Sequence, residues 1–311
     1  MDITVVVPLY NKRLTVLRAI ESIQKQKYPP KEILIINDGS TDGSDELVRS
    51  MNDDRIRMID QQNAGVSAAR NTGVFNAIHE WIAFLDADDE WYPGFLEKIE
   101  DMHRRWPDHD MYATSYYSGD YMGGLGENKC NGILFDGDDG VMINYFKVAA
   151  LSAPPICSST VCIRKKKLQE IFGFPVGIKA GEDLITWARL AIENPPVYSR
   201  LPLAVFWKEK AHTYDDVPKR YPDVENKVGK MLTSLRNDRK ECSEDLDLYI
   251  AHWYKMRASI YLRLGKRMRA LREAMRSLSY DKSNMRVYAY VVMCAMPGKA
   301  INYAFRKLSN K

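Results

Sequence analysis

Short apolar runs alternate with segments of helical spacing over the first ~110 residues. Residues 3–7, 31–36, 56–59 and 81–85 are rich in β-branched and apolar side chains, as expected for buried strands. The segments between them repeat apolar residues at three- and four-residue steps, which predicts helices. This alternation predicts an α/β fold of Rossmann-like type, a mostly parallel sheet with helices on both faces.

The middle of the chain is less regular. Residues 118–140 contain seven glycines among acidic and polar residues, which predicts a long loop or insertion. Strands are predicted over residues 156–163 and 197–207, and helices over 164–172 and 181–192.

Helical spacing dominates from about residue 218 onward. Residues 254–278 and 285–308 carry apolar residues at helical steps with Arg or Lys between them, and Pro297 interrupts the second segment. We therefore expect a sheet-containing domain over residues 1–212 and a basic helical region over residues 213–311.

Charge is divided unevenly along this chain of 311 residues. Residues 252–311 hold 14 Lys and Arg against two Asp and Glu, whereas residues 1–251 are acidic overall. An acidic body with a basic tail indicates an anionic partner for the tail: membrane phospholipid, a substrate linked to phosphates, or nucleic acid.

The cysteine spacing and the lengths of the apolar runs bear on the cellular compartment of the protein. Its five cysteines are scattered and form no CxxC pair, which favours free thiols in a reducing compartment and argues against a zinc site. The longest apolar run, residues 287–296, is shorter than the ~20 residues of a spanning helix. The chain opens on a strand-like segment without a basic leader, so no secretory signal is expected.

Polar loops follow three of the predicted strands, at Pro8, Asp38 and Asp86. In an open α/β sheet such strand ends line a ligand cleft. Asp38 could accept a hydrogen bond from the imide or lactam N–H of uracil, thymine or guanine, and Tyr10 could stack on the base. A nucleotide is therefore the expected ligand.

Acidic residues in the cleft suit a sugar nucleotide. Asp86 could hold a ribose hydroxyl and Asp88 a hard divalent cation that bridges two phosphates. The helix start after Gly65, together with Arg70, adds positive potential. Alternatively, Asp86 and Asp88 belong to a solvated acidic turn that binds no ligand.

A second acidic pair opens the predicted helix at residues 181–192. Asp183 lies in the first turn, where we expect the helix dipole to lower its pKa and keep it ionised. An ionised carboxylate beside an anomeric carbon can take the proton of an attacking hydroxyl. The alternative is that Glu182 and Asp183 only cap the helix.

Five segments together resemble the family 2 glycosyltransferases with the GT-A fold. They read VVVPLYNK, NDGSTDGS, NAGVSAARNTG, FLDADDEW and GEDLITWARL, and they fall in order within roughly residues 1–212. The resemblance implies inversion at the anomeric carbon by a single displacement, a nucleoside-diphosphate sugar donor, and a Mg²⁺ or Mn²⁺ ion.

The resemblance also implies roles for individual residues. Those matching its donor-binding positions are Pro8, Tyr10, Asp38, Asn63, Gly65, Arg70, Asp86, Ala87 and Asp88. Asp86 and Asp88 look like the DxD element, with Asp88 as the direct metal ligand. Asp183 matches the catalytic base of the ED pair, and Glu182 would lie near metal or acceptor. His212 falls where some members place a further metal ligand.

Missing motifs narrow the predicted function. The QxxRW element of processive members is absent, which favours a non-processive hexosyltransferase. We expect a lipid-pyrophosphate-linked glycan acceptor in surface polysaccharide biosynthesis, such as capsule or lipopolysaccharide. The enzyme would lie at the cytoplasmic face of the cell membrane, with its basic helices on anionic lipid.

Three other classes fit the sequence less well. A dinucleotide-binding oxidoreductase needs GxGxxG after the first strand, and a sugar-phosphate nucleotidyltransferase needs a glycine-rich basic loop there; the chain has neither. A nucleic-acid binder would match the charge of the tail but not the acidic body, so no nucleic-acid partner is expected.

Overall fold

A computed structural model describes residues 1–120, 124–208, 221–238, 243–297 and 301. The chain divides into two compact units. The first comprises residues 1–145, 152–178 and 182–209, and the second residues 146–151, 179–181 and 210–311.

The described strands of the first unit form one mixed sheet. They are β1 (Ile3–Leu9), β2 (Glu32–Asn37), β3 (Ile56–Asp60), β4 (Trp81–Phe84), β5 (Glu90–Trp91), β6 (Met111–Asp120), β7 (Leu125–Glu127), β8 (Asp139–Val141), β9 (Val161–Arg164) and β10 (Val197–Lys208). Their order is β3-β2-β1-β4-β9-β6-β10-β5, with β7 beside β6 and β8 beside β10. β3, β2, β1 and β4 run parallel, as do β6 and β10, whereas β9 is antiparallel to both of its neighbours.

Helices follow most of the strands. They are α1 (Val16–Gln24), α2 (Ser44–Arg49), α3 (Val66–Asn76), α4 (Phe95–Arg105), α5 (Tyr145–Leu151), α6 (Lys165–Glu170) and α7 (Glu182–Ala191), and α5 lies almost entirely in the second unit. On one sheet face, apolar side chains of α1 and α4 join Val5 and Val7 of β1 in the core. Val6, which points to the opposite face, packs against Gly73 of α3. The predicted α/β fold is confirmed.

Two predictions for the middle of the chain are right only in part. Residues 118–120 end β6, and the predicted loop contains β7 and most of β8. Sequence analysis did not predict β6 because it buries polar residues: Ser115 Oγ donates 3.0 Å to the carbonyl of Asn128, and Thr114 Oγ donates 3.0 Å to that of Ser115. Residues 158–160 of the predicted strand 156–163 form a 3-10 turn before β9.

Four helices of the second unit are described. They are α8 (Lys227–Asp238), α9 (Ser243–Arg263), α10 (Arg267–Tyr280) and α11 (Met285–Met293). Gly265, at φ +68°, makes the turn between α9 and α10, so the continuous pattern over residues 254–278 covers two helices. Arg257 and Glu273 form a buried ion pair of 3.0 Å between these two helices. Within the described part of the chain, no helix has the length and apolar character that a membrane span requires.

Gly73 is required where α3 crosses β1. A Cβ atom at this position would lie 2.3 Å from Val6 Cγ1. We expect Gly73→Ala to cost about 3 kcal/mol in overpacking, offset by about 1 kcal/mol from the helix propensity of alanine. Chemical denaturation should therefore show a net loss of about 2 kcal/mol.

Gly126→Ala on β7 is the matched control, because a Cβ atom there would lie 3.9 Å from its nearest neighbour outside the adjacent residues, the carbonyl oxygen of Ser118. An unchanged unfolding midpoint for Gly73→Ala would contradict the described packing of α3 on β1.

Candidate active site

The acidic turn after β4 lies at the carboxyl end of the parallel strands. The N–H of Leu85 still donates 3.1 Å to the carbonyl of Val6 on β1. The chain then turns, and the N–H of Asp89 donates 3.0 Å to the carbonyl of Asp86. This edge of the sheet is where an open α/β fold binds its ligand.

A buried network fixes the shape of this turn. Ser159 Oγ accepts a hydrogen bond from the N–H of Asp86 at 3.1 Å and donates one to Asp89 Oδ2 at 2.5 Å. The other oxygen of Asp89 accepts from the N–H of Trp207 at 2.9 Å. Burial raises the pKa of Asp89 well above its ordinary value, and the charge of Asp86 adds to this. Sequence reasoning missed Asp89 and Ser159, although the run of acids was the available signal for Asp89.

Ala87 separates the two acids of the predicted DxD element. Its side chain is buried in the core cluster beneath the sheet edge. Any contact between Ala87 and a donor would therefore come from its backbone.

Arg70 joins the acidic turn to the start of α7. Its Nη2 donates to both carboxylate oxygens of Asp86, at 2.8 and 3.1 Å, and its Nη1 donates 3.3 Å to Glu182, 112 residues further along the chain. The guanidinium is buried and lies 5.3 Å from the ring centroid of Phe174. Burial lowers the pKa of Arg70, but the charges of Asp86 and Glu182 outweigh it and raise the pKa overall. The structure thus brings two distant acidic motifs to one cation.

Asp183 lies next to Glu182 in the first turn of α7. Its Oδ1 accepts from the N–H of Leu184 at 2.8 Å. Burial, followed by the charge of Glu182, raises the pKa of Asp183 to about 6, although Arg70 opposes the shift. The expectation that the helix dipole lowers this pKa is therefore wrong, because burial and the neighbouring acid dominate. The carboxyl group still ionises below neutral pH.

Asp38 organises the loop before α3. Its carboxylate accepts hydrogen bonds from Gln61 Nε2 at 2.7 Å and from the N–H groups of Ala64 and Gly65, both at 2.9 Å, while Asn63 Nδ2 donates 3.0 Å to its carbonyl. A carboxylate has about four acceptor positions, so about one remains for a base. Asn63 and Gly65 are therefore held near Asp38.

Gly65, at φ +88°, occupies the N-cap position of α3. Ser67, a residue type that often caps helices, lies inside α3 instead.

The end of β1 carries the other predicted base-binding residues. Leu9 is in register with Asn37 on β2, and its carbonyl accepts from the N–H of Asp38 at 2.8 Å. Tyr10, the next residue, is 48% exposed, which leaves ring surface available for stacking. Pro8 is partly buried in the strand. Tyr10 and Asp38 thus follow neighbouring strand ends.

Asp88 lies among cations that the sequence analysis did not assign. Its Oδ2 pairs with Lys12 Nζ at 2.5 Å, and its carbonyl accepts from Arg18 Nη2 at 2.5 Å. The guanidinium of Arg18 lies 4.9 Å from the ring centroid of Trp207. Nothing in the local sequence pattern signals these contacts.

The donor atoms of the turn fit a metal site completed by phosphates. Asp86 and Asp88 offer carboxylate oxygens, the ligands that Mg²⁺ and Mn²⁺ prefer. Within the described residues, no cluster of three or more His, Cys, Asp or Glu could hold a metal ion. A cation here would therefore need oxygen ligands from the substrate. His212 lies outside the described residues.

Comparison with known proteins gives a family match for part of the chain. Residues 4–139 match the family model described as "Glycosyl transferase family 2". An uncharacterized glycosyltransferase from Rickettsia felis is 34% identical over 196 residues, covering 62% of this chain and 30% of that protein. "Glycosyltransferase GlyA" from Streptococcus pneumoniae is 33% identical over 193 residues, covering 58% and 27%. The similarity to family 2 glycosyltransferases thus concerns residues 4–139, and the matches span about a third or less of the length of these curated relatives.

A solved structure supports the GT-A fold over a longer stretch. The crystal structure of S. aureus TarS 1-349 in complex with UDP-GlcNAc aligns with a TM-score of 0.72 at 15% identity. The alignment covers 99% of this chain and 92% of that one. The likeness at this identity concerns the fold.

Proposed function

We propose that the protein is a non-processive, metal-dependent, inverting glycosyltransferase. It would move a sugar from a nucleoside-diphosphate sugar, a UDP-sugar in our proposal, to a hydroxyl group of a glycan acceptor. The observation that carries the proposal is the bridge of Arg70 between Asp86 and Glu182. The bridge links the acidic turn that is proposed to hold the donor with helix α7, which bears the proposed base.

The donor site is proposed along the ends of β1, β2 and β4. Tyr10 stacks on the base, and the free acceptor position of Asp38 receives its imide N–H. Pro8, Asn63, Gly65 and Ala87 shape this site through their backbones and loop contacts. The choice of UDP is supported by the fold of the TarS structure, which was crystallised with UDP-GlcNAc.

Asp183 is the proposed general base. Its carboxylate would remove the proton of the acceptor hydroxyl as that oxygen attacks the anomeric carbon, and one displacement inverts the configuration. A pKa of about 6 suits this role, since the group is ionised at neutral pH yet basic enough to accept a proton. Glu182, tied to Arg70, would face the acceptor.

Asp88, assisted by Asp86, is the proposed ligand of Mn²⁺ or Mg²⁺. The bound ion would neutralise charge on the departing nucleoside diphosphate. Arg70 holds the carboxylate of Asp86 in place and adds positive charge to the same region.

The proposed acceptor is a lipid-pyrophosphate-linked glycan in surface polysaccharide biosynthesis, at the cytoplasmic face of the cell membrane. The excess of Lys and Arg in residues 252–311 supports an anionic partner for the second unit. Co-sedimentation with phosphatidylglycerol vesicles, at low and high salt, measures the membrane association.

A panel of nucleoside-diphosphate sugars tests the proposal. With Mn²⁺ present, one UDP-sugar should raise the thermal unfolding midpoint and be slowly hydrolysed. Asp88→Ala should remove the Mn²⁺-dependent part of the shift and weaken donor binding by about tenfold or more, because a ligand of the ion is lost. Asp54→Ala, at an acid outside the site, is the control.

Other outcomes of the panel would assign a different class. Binding of a nucleotide without hydrolysis or transfer would indicate a non-enzymatic nucleotide-binding protein. Formation of a nucleotide sugar from a sugar phosphate would indicate a nucleotidyltransferase.

A further inference from the structure

Lys12 forms an ion pair with Asp88, the proposed metal ligand. Its Nζ lies 2.5 Å from Asp88 Oδ2, and the two side chains are 31% and 23% exposed. A divalent cation at the same carboxylate would lie next to the ammonium group, and like charges at such short range repel. Lys12 and a metal ion therefore compete for Asp88.

The backbone around Lys12 is fixed on both sides. Asn11 has a φ of +52°, and its Oδ1 accepts a hydrogen bond from the N–H of Thr41 at 2.8 Å. The carbonyl of Lys12 accepts from the N–H groups of Thr15 and Val16, at 3.0 and 2.9 Å, at the start of α1. Any movement of the ammonium group must therefore come from the flexible side chain.

Arg70 is a contrasting cation in the same site. It is 3% exposed, bridges two carboxylates and packs on the Phe174 ring, so its position is fixed. A lysine, by comparison, carries a compact charge on a four-carbon stem with freely rotating donors. Of these two cations, Lys12 alone has a side chain exposed enough to change partners.

We propose that Lys12 exchanges its partner from Asp88 to the diphosphate of the donor when the metal ion and donor bind. This inference rests on the proposed function. In the donor-free protein Lys12 neutralises Asp88 and lowers its affinity for the metal alone. When the donor arrives, its phosphates would give Lys12 a new counter-charge and would supply oxygen ligands to a metal ion held by Asp88. Metal and donor therefore bind together more favourably than either does alone.

Lys12→Met separates the two effects, because it removes the charge and keeps the length of the side chain. Binding of Mn²⁺ alone, followed by the signal of free Mn²⁺ in electron paramagnetic resonance, should tighten by about fivefold, the upper value for a partly exposed ion pair. Binding of UDP in saturating Mn²⁺, measured by calorimetry, should weaken by at least about tenfold, because a charged contact to the diphosphate is lost. Lys25→Met, which removes a pair between Lys25 and Glu21 at the C-terminal end of α1, should change neither constant.

The outcomes distinguish this exchange from the function on which it rests. Equal or weaker Mn²⁺ binding by Lys12→Met, including no detectable binding to either protein, would overturn the exchange, as would unchanged UDP binding in saturating Mn²⁺. Absence of UDP, GDP and dTDP binding to the unaltered protein under all conditions would instead contradict the proposed function.

Discussion

Asp183→Asn is expected to lower kcat for sugar transfer by about 10²- to 10⁴-fold, the usual contribution of a general base. The substitution keeps the side-chain shape, and the oxygen of asparagine can still accept from the N–H of Leu184. The affinity for UDP should therefore change by less than about twofold. Steady-state kinetics and calorimetry on the same preparation measure both quantities.

Asp45→Asn is the matched control for this substitution, because Asp45 also lies in the first turn of a helix, α2, away from the acidic pair of α7. Full transfer activity in Asp183→Asn would show that another group accepts the proton. Loss of UDP affinity would instead indicate that Asp183 supports donor binding.

The pH dependence of transfer follows from the raised pKa of Asp183. Because the carboxylate is the proposed base, the rate should rise with pH up to about 6 and then level off. This acid limb should be missing from the residual activity of Asp183→Asn. The same shift of the Asp183 pKa, from 3.8 to about 6, also makes folding depend on pH. The contribution of Asp183 to the free energy of unfolding is greatest below pH 3.8 and is lost as the pH rises through 6.

Arg70→Met is expected to lower the free energy of unfolding by about 3 kcal/mol and to abolish transfer. The substitution leaves Asp86 and Glu182 without their counter-charge, with side chains only 26% and 13% exposed. The expected loss is at the lower end of the range for broken buried pairs because Asp86 retains some water contact. Urea denaturation at pH 7 measures it.

Arg49→Met provides the comparison, since its partner Asp60 is 56% exposed and such surface pairs contribute at most about 1 kcal/mol. Adding Asp86→Asn and Glu182→Gln to Arg70→Met should restore stability without restoring transfer. Equal stability of Arg70→Met and the unaltered protein would contradict the described bridge.

The sequence predicted the α/β fold because β1, β2 and β4 consist largely of apolar residues buried on both faces. It did not predict β6, where Thr114 and Ser115 are buried with their hydroxyl groups bonded to carbonyls. A hydrophobicity pattern cannot recognise a strand whose buried polar side chains are satisfied by hydrogen bonds to backbone carbonyls.

The candidate site was predicted as a set of residues, whereas its internal contacts were not. Lys12 pairs with Asp88 across 76 residues, and Arg70 reaches Glu182 across 112. Such pairs depend on which strand ends lie together, and local spacing carries no information about that. The pKa of Asp183 was misjudged for the same reason, since its burial is not visible in the sequence.

The most direct test is a crystal structure of the protein with Mn²⁺ and UDP, in which anomalous scattering locates the ion. We expect the ion within about 2 Å of a carboxylate oxygen of Asp88, bridging the two phosphates. The carboxylate of Asp183 should face the β-phosphate across a space that accommodates one hexose. An ion bound away from Asp88, or an Asp183 side chain directed away from the phosphates, would contradict the proposed reaction.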